Sequence, residues 1–282
     1  MRGTLYIVST PIGNLEDITL RALKVLKNVR IIAAEDTRHT QKLLHHYDIH
    51  TRQTSYHDHN KEEKGAILIS KLHEGNDVAL VSDAGTPGIS DPGYYLKKRA
   101  IEENIKIIPI PGPTASIAAL SISGFPTDAF VFEGFLPSKK AARQKKLHEI
   151  STERRTIIVF EAPHRTLSTL KDISEIFGDR KIVLTRELTK IFEEVIRGKV
   201  SDVIAKVEGR RLKGEITLIM EGAGDKAAEA AEEIPDLHEY LRTLMEEKGL
   251  SLKDAVSKAS SDLNIQRNRV YKEALKIQKT AR

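Results

Sequence analysis

The chain has 282 residues, which exceeds the usual size of a domain built around a single hydrophobic core, so we expect two or three packing units. It contains no cysteine, which excludes disulfides, thiolate catalysis and Cys-ligated zinc. A net charge of +5 permits a polyanionic partner without requiring one. No apolar run approaches the length of about 20 residues that spans a membrane, and no basic stretch precedes a long apolar segment at the N-terminus, so we expect a cytoplasmic protein.

The first part of the chain alternates strands and helices. We predict strands at residues 5–9, 31–34, 77–81 and 105–110. The helix after the first strand has Asn14 or Asp17 as its candidate N-cap, and the polar residues 53–60 are predicted to connect two later helices. Four strands that alternate with helices form a parallel sheet covered on both faces. This pattern predicts an N-terminal α/β domain over residues 1–124.

The second part has more strands per helix. Strands are predicted at residues 130–135, 156–160, 181–185, 194–198 and 215–220. The excess of strands indicates a mixed sheet in a C-terminal α/β domain over residues 125–222. Residues 223–282 begin with a linker rich in Ala, Gly and Glu and continue as three short helices, which are too few for a large core. The predicted fold class is α/β, with a mainly parallel first sheet, a mixed second sheet and a small C-terminal helical module.

One loop stands out as a candidate ligand site. Residues 82–93 contain three glycines and two prolines directly after a predicted strand, so neither a strand nor a helix can continue there. The loop lacks the G-x-G pair of dinucleotide-binding loops and the G-K-[ST] of phosphate-binding loops, and a purely structural turn is an equally good interpretation. The loops at 10–14 and 111–114 follow other strands of the same predicted sheet. Ligands of open α/β sheets bind beyond the carboxyl ends of the strands, so three such loops at one edge favour a ligand site.

Six short motifs occur in order along the chain. They read STPIGN at 9–14, AEDTR at 34–38, VSDAGTPGISDPG at 81–93, PGPT at 111–114, EAPHR at 161–165 and TRELTK at 185–190. Together they resemble the motif series of the tetrapyrrole methylase superfamily over about residues 3–222. Within that superfamily they are most similar to the branch that methylates a ribose 2′-hydroxyl of a cytidine in 16S ribosomal RNA.

The resemblance implies S-adenosylmethionine as the cofactor, bound in the cleft between the two α/β domains, and a homodimer. The residues that it assigns to the cofactor pocket are Pro11, Asp83, Gly85, Thr86, Ser116, Ile117, Glu161, Ala162, Glu215 and Ile216. These residue types suit the role. Glycine lets backbone groups approach a ligand closely, and Asp83 can accept hydrogen bonds from the amino group of a cation.

Transfer of a methyl group to a hydroxyl needs in-line placement and a group that takes the hydroxyl proton. Glu187 in the last motif is the first candidate for this base and His57 is the second, while Lys190 could hold a phosphate or stabilise the developing oxyanion. An ion pair of Glu187 with Arg186 or Lys190 that only shapes the cleft is an equally good interpretation. Six histidines fall between residues 39 and 59, but their spacing matches no metal-binding motif, so we expect no metal.

Basic residues on the first predicted helix of the second domain indicate a polyanionic partner. Lys139, Arg143 and Lys146 fall on one helical face, and Arg38 and Arg186 in two of the motifs are further candidates for contact with RNA. Basic faces are often merely solvated, but the resemblance favours phosphate contacts with 16S ribosomal RNA or the small ribosomal subunit. Only 5% of the residues are aromatic and none is Trp, so we expect recognition of RNA shape rather than a stacking platform.

Two other functions stay open at this point. A small molecule such as a tetrapyrrole is an alternative methyl acceptor, although the basic faces and the helical module disfavour it. A non-catalytic protein that binds RNA or the ribosome is the other alternative. The intact cofactor loops disfavour this second possibility.

Overall fold

The structure is a computed structural model, and it describes residues 2–90, 93–224, 237–263 and 267–280. The chain divides into two compact units, Met1–Gly222 and Ala223–Arg282. Both sheets lie in the first unit. Most of the linker predicted after this unit, residues 225–235, lies outside the described residues.

The first sheet has five parallel strands in the order β3-β2-β4-β1-β5. The strands are β1 (Thr4–Val8), β2 (Ile31–Ala34), β3 (Gln53–Ser55), β4 (Val78–Val81) and β5 (Lys106–Ile110). The helices are α1 (Leu20–Asn28), α2 (Thr37–His46), α3 (Lys61–His73) and α4 (Gly93–Glu102). Apolar side chains pack on both faces of the sheet, with Val8 and Ile32 on one face and Leu5 and Leu80 on the other. This arrangement confirms the predicted parallel sheet.

Two local predictions in this region are wrong. The sequence does not predict β3, because its three residues are polar and half-buried and it pairs with β2 along one side only. Asn14 caps a single 3₁₀ turn, Leu15–Asp17, whereas Thr19 caps α1. The chain makes this extra turn before α1 begins, so neither Asn14 nor Asp17 is the cap of that helix.

The second sheet is mixed, as predicted, with the order β6-β7-β10-β8-β9. Its strands are β6 (Phe130–Phe135), β7 (Thr156–Glu161), β8 (Lys181–Arg186), β9 (Glu194–Lys199) and β10 (Ile216–Met220). Strands β6 and β7 run parallel, and the other pairs are antiparallel. The helices of this half are α6 (Lys140–Ile150), α7 (Thr166–Phe177) and α8 (Val200–Val207).

Helix α5 (Ala115–Ser121) joins the two sheets. It follows β5 of the first sheet, yet its buried Leu120 belongs to a cluster with Ile158 and Val183 of the second sheet. The loop before α5 is therefore anchored on the first sheet at one end and on the second sheet at the other. This arrangement brings the carboxyl edge of the first sheet next to the second sheet.

The second unit contains the three helical segments that the sequence predicts. They are α9 (Leu237–Arg242), which continues as the π-helical segment Thr243–Glu247, then α10 (Leu252–Asp262) and α11 (Arg267–Thr280). Leu244, Val256 and Val270 are buried in a small core of this unit. Within the part of the chain that the structure describes, no helix combines the length and the apolar character needed to cross a membrane.

Candidate functional site

The three predicted strand-end loops meet at the carboxyl edge of the first sheet. The backbones of Thr10 and Gly85 exchange two hydrogen bonds, of 2.9 and 3.0 Å. The Thr86 hydroxyl lies 2.8 Å from the hydroxyls of both Ser9 and Thr114, so this one side chain bonds to both neighbouring loops. The loops after β1, β4 and β5 therefore form one connected wall.

A cavity of about 470 Å³ lies between this wall and the second sheet. Its volume falls within the range of about 300–1,000 Å³ that is usual for small-molecule sites. Seven of the residues that the sequence predicts around the cofactor line it, namely Asp83, Gly85, Thr86, Glu161, Ala162, Glu215 and Ile216. Both sheets thus contribute to this cavity, which we call the central cavity.

Three predicted cofactor residues do not line the central cavity. Pro11 and Ser116 are buried in the surrounding packing, and Ile117 is exposed. The neighbours that line the cavity instead are Ile12, Thr114 and Ala115. The reason at the third loop is helical geometry, because α5 starts there and each helical residue turns its side chain by about 100° from the one before.

Sequence reasoning missed Glu35, Phe135 and Phe160, which all line the central cavity. Glu35 directly follows β2, the neighbour of β4, so the strand-end argument that selects Asp83 could also have selected Glu35. Phe135 and Phe160 lie in strands with ring centroids 5.5 Å apart. Their sequence pattern is that of core residues, and nothing in it marks them as facing a cavity.

The central cavity has an apolar side and an acidic side. Phe135 and Phe160 provide an aromatic surface, while Glu35 and Asp83 provide carboxylates. The backbone N–H of Asp36 donates a 3.0 Å hydrogen bond to Asp83 Oδ1, which fixes this carboxylate. A ligand that combines a flat apolar group with a cationic group matches these two sides.

Glu161 also lines the cavity, but its charge is compensated within the protein. The Ala162 N–H and the Thr169 hydroxyl donate hydrogen bonds of 2.7 and 2.6 Å to its carboxylate, and Arg165 forms an ion pair with it. The carboxylate is almost completely buried. Glu161 therefore holds the loop after β7 in shape.

Glu187, Lys190 and Glu215 form an ionic bridge between the central cavity and a second one. Lys190 Nζ lies 2.8 Å from Glu187 Oε1 and 3.0 Å from Glu215 Oε2. Glu215 lines the central cavity, whereas Glu187 and Lys190 line an open side groove of about 770 Å³. The ion pair that the sequence left open for Glu187 is therefore present, and its partner is Lys190.

The segment that carries the ionic bridge has an unusual backbone. Glu187 and Thr189 have φ values of 52° and 67°, in the left-handed region. A residue other than glycine costs about 1–3 kcal/mol there. The Asn14 N–H donates to Thr189 Oγ1 at 3.0 Å, and the Glu187 N–H donates to the Glu215 carbonyl at 2.9 Å. Gly214, with a φ of 87°, completes the arrangement, because a Cβ there would overlap the Glu187 carboxylate.

The ionic bridge also determines the charges of its members. Burial alone would raise the pKa of Glu187, but hydrogen bonds from Lys190 and from the Glu215 N–H outweigh burial and lower this pKa below its usual range. Burial alone would lower the pKa of Lys190, but its hydrogen bonds to Glu187 and Glu215 raise it above its usual range. At neutral pH the pair is therefore a carboxylate and an ammonium.

His57 does not line either cavity. Its backbone N–H donates to Asn60 Oδ1 at 2.9 Å, and its Nε2 lies 3.3 Å from the Asn60 amide nitrogen, which makes it part of a local turn after β3. The structure thus brings Glu187 and Lys190 to the cavity walls but not His57. Among the described residues, no three histidine, aspartate or glutamate side chains are grouped so that they could hold a metal ion.

Two of the residues predicted to contact RNA face the protein instead. Arg143 is buried and pairs with Asp172 at 2.6 Å, because this side of α6 packs on α7. Arg186 is mostly buried and pairs at 2.9 Å with Glu194, which lies directly opposite on β9. For both residues the prediction of an accessible phosphate contact is wrong.

The other three RNA candidates lie nearer to solvent. Lys139 is exposed at the start of α6. Arg38 is exposed and pairs with Asp36 at 2.8 Å, and Lys146 is partly exposed and pairs with Glu133 at 2.6 Å. Surface ion pairs of this kind are weak, so these cations can exchange partners with a phosphate.

A further crevice of about 820 Å³ lies at the opposite edge of the first sheet. It is open to solvent between residues 27–30, 48–52 and 75–77, where β2, β3 and β4 begin. Ligands of open α/β sheets bind at the carboxyl edge. The central cavity is therefore the candidate site, although it is smaller.

Comparison with known proteins agrees with the motif series. The sequence matches the family model of Tetrapyrrole (Corrin/Porphyrin) Methylases over residues 4–204. It is 48% identical to a protein of Synechocystis sp. named Ribosomal RNA small subunit methyltransferase I, over 98% of this chain and 99% of that protein. It is also 48% identical to the protein of the same name from Escherichia coli O157:H7, over 98% of this chain and 96% of that one.

The fold is similar to that of a solved methyltransferase structure. That structure is uroporphyrin-III C-methyltransferase from Thermus thermophilus complexed with S-adenyl homocysteine. The TM-score is 0.56 with 17% sequence identity, over 77% of this chain and 97% of that chain. At this identity the likeness concerns the fold alone, whereas the family model and the full-length relatives concern the sequence itself. The chain belongs to the tetrapyrrole methylase family.

Proposed function

We propose that this protein is an S-adenosylmethionine-dependent methyltransferase that acts on a ribose 2′-hydroxyl of a cytidine in 16S ribosomal RNA. The observation that carries the proposal is the central cavity, which three connected strand-end loops form against the second sheet. Relatives that match over nearly the full length and are named for ribosomal RNA methylation support RNA as the acceptor.

The residues of the central cavity fit the cofactor. The aromatic side chains of Phe135 and Phe160 would hold the adenine ring, and the carboxylates of Asp83 and Glu35 would bind the positively charged groups. Gly85 lines the cavity and has no side chain, so a ligand could approach the backbone of this loop closely. When bound, S-adenosylmethionine supplies an electrophilic methyl group.

The ionic bridge would serve the acceptor hydroxyl. Glu187 is ionised at neutral pH, so its carboxylate can take the hydroxyl proton, and the Lys190 ammonium beside it can stabilise the oxyanion that develops. Orientation of the acceptor against the methyl group can supply about 7–11 kcal/mol of barrier lowering. His57 is the second candidate for the base, in the event that RNA binding moves the turn after β3.

RNA contacts outside the cavities would come from the exposed cations. Lys139, Lys146 and Arg38 would bind phosphates, which gives affinity that depends on salt and little on sequence. We further propose that residues 1–124 and 125–222 act as the two domains that enclose the cofactor, that the enzyme is a cytoplasmic homodimer, and that its partner is 16S ribosomal RNA or the small ribosomal subunit.

The test is transfer of a labelled methyl group to separate acceptor pools. The protein is incubated with S-adenosylmethionine labelled in the methyl group and with purified 16S ribosomal RNA, small ribosomal subunits or a tetrapyrrole such as uroporphyrinogen III. We expect label in one of the two RNA pools. Label in the tetrapyrrole alone would replace RNA by a small molecule as the substrate, and label in none of the pools would favour a non-catalytic protein.

A further inference from the structure

Two apolar side chains form an exposed tip beside the side groove. Ile191 is 95% exposed and Phe192 is 70% exposed, and both line the groove. They belong to the turn between β8 and β9, directly after Lys190 of the ionic bridge. Exposed apolar side chains beside a cavity mark a surface that contacts a ligand or a partner.

The tip is held in place by hydrogen bonds on both of its sides. The Thr189 N–H donates to Glu193 Oε2 at 2.6 Å, and the Glu193 N–H donates to the Lys190 carbonyl at 3.1 Å. The two left-handed residues before it, Glu187 and Thr189, are fixed by their own hydrogen bonds. A strained and well-bonded turn that presents an aromatic ring to solvent is arranged for contact rather than for packing.

The side groove lies where it could bind the base of a nucleotide whose ribose reacts. It shares the ionic bridge with the central cavity, so a nucleotide whose ribose reaches Glu187 and Lys190 has its base in the groove. We propose that the side groove is the binding site of the acceptor nucleotide, and that Phe192 stacks on its unstacked base. This inference rests on the proposed function, because it assumes that the acceptor is RNA.

A base fits the groove better than a second copy of the chain does. A phenylalanine contributes at most about 150–250 Å² of contact, whereas each partner of a stable protein interface buries about 800 Å². Glu16 and His46 also line the groove and offer hydrogen-bonding groups for the edge of a base. The scarcity of aromatic residues argues against a platform for several bases, but stacking of one base needs one ring.

The first experiment measures kinetics with three substitutions at one position. We expect Phe192→Ala and Phe192→Leu to lower kcat/KM for small ribosomal subunits by about 5- to 150-fold, the effect of losing one stacked base. Phe192→Tyr keeps a ring and should retain most of the activity. The affinity for S-adenosylmethionine and the thermal midpoint should stay unchanged in all three, since Phe192 lies on the surface and outside the central cavity.

The second experiment uses the absence of tryptophan from the chain. Phe192→Trp gives a protein with one tryptophan, whose fluorescence should be quenched when purified 16S ribosomal RNA is added, because stacking on a base quenches indole emission. Ile101→Trp is the matched control. Ile101 is 67% exposed near the C-terminal end of α4, shortly before β5 begins, and therefore at the edge of the first sheet opposite to the strand-end loops.

The outcomes separate the alternatives. Quenching at position 192 but not at 101, together with the kinetic loss, supports the inference. Equal quenching at both positions, or full activity of Phe192→Ala, overturns it. An emission shift of Phe192→Trp that follows protein concentration without RNA assigns the tip to a second copy of the chain. A wild-type protein that transfers no methyl group to RNA, with position 192 still quenched by RNA, refutes the proposed reaction but not the base-binding site.

Discussion

A methyl group added at Gly13 should disturb the ionic bridge while leaving the central cavity largely unchanged. A Cβ at this position would lie 2.7 Å from Thr189 Oγ1 and 2.9 Å from the Leu188 carbonyl oxygen, and it would also overlap Lys190 Cγ. Heavy atoms pack at about 3.5 Å or more, so in Gly13→Ala the 188–190 segment must withdraw by about 1 Å. Because one of the obstructing atoms belongs to the backbone, a change of side-chain rotamer cannot relieve the overlap.

The expected result is a loss of turnover with little loss of cofactor binding. A displacement of about 1 Å in a catalytic group costs about 100-fold in rate, and overpacking costs about 1–3 kcal/mol of unfolding free energy. The assay is single-turnover methyl transfer to small ribosomal subunits, with cofactor affinity measured by calorimetry and stability by urea unfolding. Gly224→Ala is the matched control, because a Cβ there has no neighbour within 4 Å among the described residues. Wild-type turnover in Gly13→Ala would refute the role of the ionic bridge in catalysis.

Three further predictions concern charge. Asp83→Asn keeps the shape of the side chain and the hydrogen bond from Asp36 but removes the negative charge. The dissociation constant for S-adenosylmethionine, measured by calorimetry, should therefore rise about 10- to 150-fold. An unchanged dissociation constant would remove Asp83 from the cofactor site. Arg143→Met should lower the unfolding free energy by about 3–5 kcal/mol, because it removes the 2.6 Å ion pair of the buried Asp172 carboxylate and leaves only Lys140, 4.0 Å away, as a cation beside it. Lys139→Met should change stability by less than about 0.5 kcal/mol and reduce only salt-sensitive RNA binding. Equal effects of the two substitutions on stability would contradict the burial of Arg143. The folded-state pKa of Glu187 lies below its ordinary value of 4.5, so its ion pair stabilises the fold above that pH and is lost as the pH falls further. The carboxylate is therefore ionised throughout the neutral range, and the single-turnover rate should be independent of pH between about 6 and 9. A fall in the rate below about pH 6.5 would assign proton removal to a histidine.

The sequence predicts which strand-end loops line the central cavity, for a physical reason. Gly and Pro interrupt the chain directly after buried strands, and parallel strands end at one edge of the sheet, so the loops containing Thr10, Thr86 and Thr114 had to lie close together. The hydroxyl contacts among these loops are the detail that only the structure adds. The same strand-end argument could also have selected Glu35, which sequence reasoning missed.

Other features depend on which way a side chain faces, and the sequence does not carry that information. Helical spacing assigns Lys139, Arg143 and Lys146 to one face, but the helix has a weak apolar stripe, so the spacing does not say which side packs on α7. Phe160 on a strand and Phe192 in a turn are both phenylalanines, but Phe160 lines the central cavity whereas Phe192 is exposed beside the side groove. Only the packing of the two sheets distinguishes them.

The most direct test of the proposed reaction is the chemical position of the transferred methyl group. Small ribosomal subunits labelled by the protein and S-adenosylmethionine are digested with alkali, which cleaves RNA through the 2′-hydroxyl. We predict that the label appears in a dinucleotide that resists alkali and contains a 2′-O-methylated cytidine. Label in mononucleotides would mean that a base is methylated and would contradict a mechanism in which Glu187 and Lys190 act on a ribose hydroxyl.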